Sequence, residues 1–185
     1  MSLSVQERGE ALATFRFVQV QLMETLARWV PTTPEMEVKL LFGAHIWDVA
    51  QHADALGKRV YELRMPLQHS LKPSDGYLRA LQELSSASQT AQKLGAVYEA
   101  FLPRLGDRYR QYLDRTDALM DAPSVRIIER ILHDHSRMIR EYRELLAELP
   151  ELQLADPQWV AHLREVESAV DLVAHRSAAK SDAGR

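Results

Sequence analysis

The segment PEMEVKLLFGAHIWDVAQHADALGKRVYELR, residues 34–64, constrains the fold of this chain most strongly. At 3.6 residues per turn, its apolar residues fall within an arc of roughly 100° on one side of a helix. The residues of this arc are Val38, Leu41, Phe42, Val49, Leu56, Val60 and Leu63. A helix with such a face packs it against other helices, so the segment predicts a helical core.

Three titratable side chains interrupt this apolar arc. His45, Asp48 and His52 are spaced i, i+3 and i+7, so they share one face of the helix where the periodicity requires apolar residues. Burial of such groups without partners costs several kcal/mol, and they must therefore meet other polar groups, a metal ion, a ligand or water. The segment predicts a polar site in the core, but it names no substrate.

The first helix is predicted over residues 4–29 by a second apolar pattern. Gln19 lies at the centre of its apolar face, whereas Glu24 projects roughly 140° away and is expected to face solvent. The prolines of the following link favour a tight antiparallel hairpin with the second helix. In this link, Thr33 is the expected N-cap and Pro34 the first helical residue.

The third long helix is predicted over residues 86–119, after a connection of about 20 residues that contains a short helix over residues 77–84. Pro103 is expected to kink it, because an interior proline removes one backbone hydrogen bond. A connection this long can return the chain along the bundle, so the third helix is expected to start at the same end as the second. The alternative is an unrelated up-down bundle in which it starts at the opposite end.

The fourth helix is predicted to follow a short turn capped near Asp121 or Ala122 and to extend to residue 149. His135 lies at the centre of its apolar face. The polar residues that project away from this face include Glu129 and His133.

A fifth, amphipathic helix is predicted over residues 157–175, packed outside the other four. Residues 1–176 then form one helical domain, and residues 177–185 are expected to be a disordered tail. Trp47 projects away from the inner arc and is a candidate contact with the fifth helix or with a partner subunit. A homodimer is therefore one of the partners to consider.

Charge and cysteine content exclude several classes of function. The chain has 23 basic and 26 acidic residues, well mixed, and a formal charge of -3, so we expect no binding to nucleic acid or to a membrane. The absence of cysteine excludes disulfides, thiolate zinc sites and iron–sulfur clusters. The N-terminus lacks the apolar run of a signal peptide, and no stretch is long enough for a membrane span. We expect a soluble, cytoplasmic protein.

Four long helices with short 1–2 and 3–4 links and a long 2–3 crossover resemble the ferritin-like superfamily over residues 4–149. The resemblance implies a four-helix bundle. In members that hold two metal ions, helices 1 and 3 each supply a Glu, and helices 2 and 4 each supply Glu-x-x-His. Counting 1.5 Å per residue from the predicted helix ends places a polar residue of each helix in one layer. These residues are Gln19, His45, Tyr98 and His135.

This chain departs from the metal-binding pattern of the superfamily. The Glu positions read Gln19 and Tyr98, and the two Glu-x-x-His positions read His45-Ile-Trp-Asp48 and His135-Ser-Arg-Met138. One carboxylate and two neutral imidazoles do not neutralise two adjacent hard cations, so a dinuclear centre is disfavoured.

Two functional interpretations follow. In the first, the polar centre is a buried hydrogen-bond network in which Asp48 orients a histidine and Gln19 and Tyr98 complete the network or line a small pocket. The protein is then non-catalytic or binds a small molecule. The buried tyrosines are expected to be core residues: Tyr98, Tyr109 and Tyr112.

The alternative interpretation is an enzyme. His45, Asp48 and His135, or His52 in place of one of them, have the two-His-one-carboxylate composition that suits a single iron or zinc ion. Such a site would support a mononuclear metal-dependent oxidase or hydroxylase that acts on a small organic substrate. An enzyme of this kind needs a solvent-connected cavity of a few hundred Å³ beside these side chains.

Overall fold

The computed structural model describes residues 3–153 and 157–172, and over these ranges the chain is helical and contains no strand. The α-helices are α1 (Val5–Trp29), α2 (Met36–Glu62), α3 (Asp75–Ser85), α4 (Thr90–Leu94), α5 (Leu102–Arg115), α6 (Ala122–Glu148) and α7 (Pro157–Ser168). A π-helical segment, Gly95–Phe101, joins α4 to α5, and a 3-10 turn, Pro150–Gln153, follows α6. In the described part of the chain, no helix is both long and apolar enough to cross a membrane.

Helices α1 and α2 form the predicted hairpin, but its turn differs in detail. Helix α1 begins with a capping box, in which the Ser4 hydroxyl accepts the Glu7 N–H and the Glu7 carboxylate accepts the Ser4 N–H. Thr33 is not the N-cap of α2. Its hydroxyl donates to the Trp29 carbonyl at 2.8 Å and so satisfies the end of α1, while α2 begins after Glu35, two residues later than predicted.

The third long helical segment starts at the same end of the bundle as α2. At this end, the Thr90 hydroxyl donates to the Glu35 carboxylate at 2.7 Å, and the Lys93 ammonium donates to the Thr32 carbonyl at 3.0 Å. At the other end, the Leu3 N–H donates to the carbonyl of Arg115. Helices α2 and α5 are therefore parallel, as the long connection predicts, and the up-down alternative is not the observed topology. The short helix within that connection is α3.

Helices α2 and α6 run antiparallel, and two contacts fix their register. His45 pairs with Glu141 and, seven residues further along α2, His52 pairs with Asp134. A step of seven residues along one helix is thus matched by a step of seven in the other direction along its partner. The core around these pairs is apolar and fully buried, including Leu12, Leu22, Phe42, Val49, Leu56, Leu94, Leu105 and Ile128.

Pro103 divides the predicted third helix into three pieces. A proline has no N–H to donate to the carbonyl four residues earlier, which here belongs to Glu99. The preceding turn widens into the π segment, whose closing N–H, from Leu102, donates to the Val97 carbonyl five residues back. The Glu99 carbonyl instead accepts the Nε–H of Arg164, in α7, at 2.7 Å. The expected kink is therefore a π turn to which α7 is bound.

Helix α7 packs against the π segment, α3 and α5, and it is shorter than predicted. It ends at Ser168; residues 169–172 are not helical, and the rest of the predicted helix, with the predicted tail, lies outside the described residues. The chain after α7 also contacts the long connection, because the Ser74 N–H donates to the Leu172 carbonyl at 3.2 Å. Trp47, a candidate contact of this helix, lies on α2 with 67% of its surface exposed.

The turn between α5 and α6 is organised by Asp121, which is the N-cap residue of α6 and is fully buried. Its carboxylate accepts hydrogen bonds from Tyr112 (2.6 Å), Thr116 (2.8 Å) and Ser124 (2.5 Å), and it pairs with Arg59 of α2 at 3.0 Å. These partners hold the pKa of Asp121 below its usual value against the opposing effect of burial. One carboxylate thus joins the ends of three helices.

The bond from Arg164 to the freed carbonyl can be tested by removing it. Arg164→Met keeps most of the side-chain volume but leaves the Glu99 carbonyl without this donor, so we expect a loss of about 1 kcal/mol in the free energy of unfolding. Urea denaturation measures the loss, and amide hydrogen exchange should show faster opening of α7. Arg140→Met, at an exposed arginine of α6, is the matched control. Unchanged exchange in α7 for Arg164→Met would contradict the assignment.

Candidate functional site

His45 is the centre of a buried hydrogen-bonded group. Its Nε2 is 2.8 Å from the Glu141 carboxylate and its Nδ1 is 2.7 Å from the Tyr98 hydroxyl. Because a carboxylate only accepts, Nε2 carries the proton and Nδ1 accepts from the tyrosine. Burial lowers the pKa of His45, and the interaction with Glu141 opposes this only in part, so the imidazole is neutral at pH 7.

Asp48 is bound to an arginine and does not orient a histidine. Its carboxylate is 2.8 Å from Arg137 of α6, which also bonds Glu141 at 3.1 Å and approaches Asp134 at 3.6 Å. The hydrogen bond that Arg137 donates to Asp48 is the main reason that the pKa of Arg137 is raised. The prediction that Asp48 orients a histidine is therefore wrong: Glu141 and Asp134 contact the two α2 histidines, and Arg137 lies between three carboxylates.

His135 lies in a different layer from His45. Its ring centroid is 5.9 Å from that of His52 and 5.7 Å from that of Tyr109. Gln19 belongs to this second layer, since its amide donates to the Tyr109 hydroxyl at 2.7 Å. His135 precedes Glu141, the partner of His45, by six residues, which corresponds to about 9 Å along α6.

The predicted single layer is therefore two layers. The first contains His45, Tyr98 and Glu141, and the second contains Gln19 with His52, Asp134, His135 and Tyr109. A count from the predicted helix ends puts His45 level with His135, whereas in the structure His45 lies opposite Glu141, six residues later in α6, and α2 begins two residues later than predicted. The side chains of antiparallel helices also lean in opposite directions, which adds to the displacement.

The second layer holds its histidines neutral. Burial, aided by the neighbouring His52, lowers the pKa of His135 to about 3. Burial also lowers the pKa of His52, with Asp134 acting against this shift through its bond to Nε2 at 3.0 Å. Several buried atoms of this layer have no hydrogen-bond partner among the described protein atoms: the Gln19 Oε1, the His52 Nδ1 and both ring nitrogens of His135.

The proposed mononuclear ligand set does not fit this geometry. Both ring nitrogens of His45 are hydrogen-bonded, Asp48 is paired with Arg137, and His135 lies in the other layer. Within residues 3–153 and 157–172, no group of three or more histidine, aspartate or glutamate side chains is arranged to hold a metal ion. The two histidines and the carboxylate of this set therefore do not converge on one point.

A surface cleft lies beside the π segment, and Tyr98, the partner of His45, is one of its lining residues. Its volume is about 540 Å³, and a smaller cavity of about 240 Å³ adjoins it. The residues that line the larger cavity are Tyr98, Glu99, Pro103, Asp107, Arg110, Ile139, Tyr142, Arg143, Leu146 and Arg164. Helices α5, α6 and α7 and the π segment all contribute to this wall.

Two stacked tyrosines, Tyr98 and Tyr142, line the cleft. The rings of Tyr98 and Tyr142 are nearly parallel, with centroids 4.9 Å apart. The Tyr142 hydroxyl donates to the carboxylate of Glu99, which also faces Arg164 at 3.8 Å. Tyr98 in turn donates to His45. A molecule in the cleft would thus rest on an aromatic pair that is hydrogen-bonded to the polar centre.

Comparison with family models, curated proteins and solved structures finds no match to this chain. The ferritin-like assignment is therefore based on helix order and direction alone and stays a prediction.

Sequence reasoning missed the acidic partners of the two α2 histidines. Asp134 and Glu141 are seven residues apart on α6, and His45 and His52 are seven residues apart on α2. Matching spacings of this kind place two pairs opposite each other on antiparallel helices. This was the signal that could have identified both carboxylates. Glu99 gave no such signal, because its orientation depends on the π segment.

The neutral His135 predicts a loss of stability in acid. The unfolded chain protonates this side chain near pH 6.5 whereas the folded protein does so near pH 3, so stability falls as the pH drops below about 6.5. The contribution of His135 between pH 7.5 and pH 5 is roughly 2 kcal/mol. The lowered pKa values of His45 and His52 act in the same direction.

We expect His135→Phe to lose less stability than the natural sequence over this interval, measured by urea denaturation at pH 7.5 and pH 5. His133→Gln, two residues away at an exposed position, should behave like the natural sequence. Equal pH dependence of the His135→Phe variant and the natural sequence would show that His135 is not held neutral by the fold.

Proposed function

We propose that this protein binds a small organic molecule in the cleft beside the π segment, and that its polar centre is a structural hydrogen-bond network. The observation that carries the proposal is the cleft itself, with a volume of about 540 Å³ and an aromatic floor. Ligand sites of helical proteins commonly have volumes of 300–1,000 Å³ and combine apolar walls with a few polar groups. A ferritin-like bundle is the fold that we propose as the scaffold.

The walls of the cleft meet both requirements. Pro103, Ile139 and Leu146 supply apolar surface, and Tyr142 supplies an aromatic ring. The polar groups are arginines and carboxylates from four separate elements, so they converge on the cleft instead of following one helix. π-Helical turns are frequent at functional sites, which agrees with the position of this cleft.

The contacts of the polar centre favour a structural role over the metal-dependent alternative. His45, Asp48 and the Nε2 of His52 each have a protein partner at hydrogen-bond distance across the α2–α6 interface, which favours a structural role for them. These contacts also fix the position of Tyr98, and therefore the floor of the cleft. In this proposal the centre supports the binding site and takes no part in catalysis.

Filling the cleft tests the proposal. Leu146→Trp adds a large side chain at its wall, and we expect it to abolish binding of small aromatic probes such as phenylacetamide, with the fold retained. Binding is followed in the unaltered protein by amide NMR shifts, which should concentrate at Ile139, Tyr142 and Leu146. Leu40→Trp, at a position on α2 that is 67% exposed, is the matched control and should bind as before. Shifts scattered over the surface, or unaffected by Leu146→Trp, would overturn the proposal.

A further inference from the structure

The charged side chains around the cleft are unbalanced. The two adjoining cavities are lined by two carboxylates, Glu99 and Asp107, and by four arginines: Arg104, Arg110, Arg143 and Arg164. Asp107 pairs with Arg104 at 3.5 Å and with Arg110 at 3.0 Å. Glu99 faces Arg164. The lining residues therefore carry two more positive charges than negative ones, although the chain as a whole has a formal charge of -3.

Arg143 is the arginine without a carboxylate partner. It forms no ion pair with any residue in the part of the chain that the structure describes, whereas the other three arginines of the cleft each face Asp107 or Glu99. Its guanidinium is close enough to the Tyr142 hydroxyl that its charge opposes the rise in the pKa of Tyr142 caused by burial and by Glu99. The unpaired charge therefore lies at the cleft, next to the aromatic floor.

Apolar side chains flank this charge on the same helix. Ile139, Tyr142, Arg143 and Leu146 are spaced i, i+3, i+4 and i+7, so they form one face of α6, and all four line the cleft. Pro103 adds apolar surface from α5. A ligand that fits this surface has an apolar body and one negative charge within reach of Arg143.

We propose that the molecule bound in the cleft is an organic acid with an aromatic or aliphatic body, and that Arg143 binds its carboxylate. This proposal rests on the proposed function, because it names the chemical class of the same ligand. A guanidinium can donate two parallel hydrogen bonds to a carboxylate, a geometry that neither a neutral amide nor an amine reproduces. The three neighbouring arginines share two carboxylates, Glu99 and Asp107, so they add one further positive charge to the potential at the cleft.

The test compares three matched series of probes: phenylalkanoic and alkanoic acids, their primary amides, and the corresponding amines. Affinities are measured by NMR titration at low salt with the unaltered protein. We expect the acids to bind about tenfold more tightly than the amides and the amines to bind most weakly. Added salt should weaken binding of the acids and leave that of the amides unchanged.

Variants identify the anchor. Arg143→Gln should reduce the affinity for the acids about tenfold and leave the affinity for the amides unchanged, while Arg143→Lys restores part of the loss. Arg140→Gln is the control, because Arg140 lies on the same helix, is exposed and pairs with Glu144 outside the cleft. Circular dichroism confirms that each variant is folded.

The outcomes separate this inference from the proposed function. If the amides bind as tightly as the acids, or if Arg143→Gln weakens both series equally, the assignment of an organic acid is overturned while the binding cleft stands. If no member of the three series binds, or if Leu146→Trp leaves their binding intact, the proposed function fails together with this inference.

Discussion

The missing N–H of Pro103 is the constraint on which the arrangement around the cleft depends. Without this donor, the carbonyl of Glu99 cannot close an α-helical turn, and the chain widens into the π segment. Arg164 donates a hydrogen bond to the carbonyl of Glu99 and thereby attaches α7 to the bundle. The same turn directs Tyr98 to the polar centre and Glu99 to the cleft. The π turn caused by Pro103 thus brings α7 to the wall of the cleft. It also joins Tyr98, in the floor of the cleft, to His45 in the polar centre.

The polar centre fixes the register between the two long helices α2 and α6. Each α2 histidine meets one α6 carboxylate, and Arg137 bridges three acidic side chains between them. A slip of one turn would leave the two buried imidazoles without their α6 carboxylate partners, and each unpaired imidazole would cost about 1–3 kcal/mol. Asp134 and Glu141 would keep Arg137, which lies on their own helix. Apolar side chains alone tolerate such slips far better, because they pack without direction. The centre is therefore a source of specificity in helix pairing, and it keeps Tyr98 in place.

The helix pattern of this chain could be predicted from sequence. Periodicity predicts the long helices and the inward positions of Gln19, His45 and His135. Connection length predicts the hairpin and the parallel second and third helices. The site could not be predicted in this way, because grouping residues into layers requires the register between helices to within one turn. That register is set by His45–Glu141 and His52–Asp134, which involve residues on two helices. Thr33 illustrates the same limit locally: its hydroxyl could serve the end of α1 or the start of α2, and only the turn geometry decides between them.

Because α7 follows α5 and α6 in the chain, its contribution to the cleft is synthesised after theirs. The first two walls, α5 and α6, are complete before residue 149, but Arg164 and the contact between Ser74 and Leu172 belong to the segment translated afterwards. The carbonyl of Glu99 and the N–H of Ser74 therefore have these partners only after residues 164–172 have been translated. The residues of the polar centre, up to Glu141, are therefore translated before Arg164, which completes the lining of the cleft.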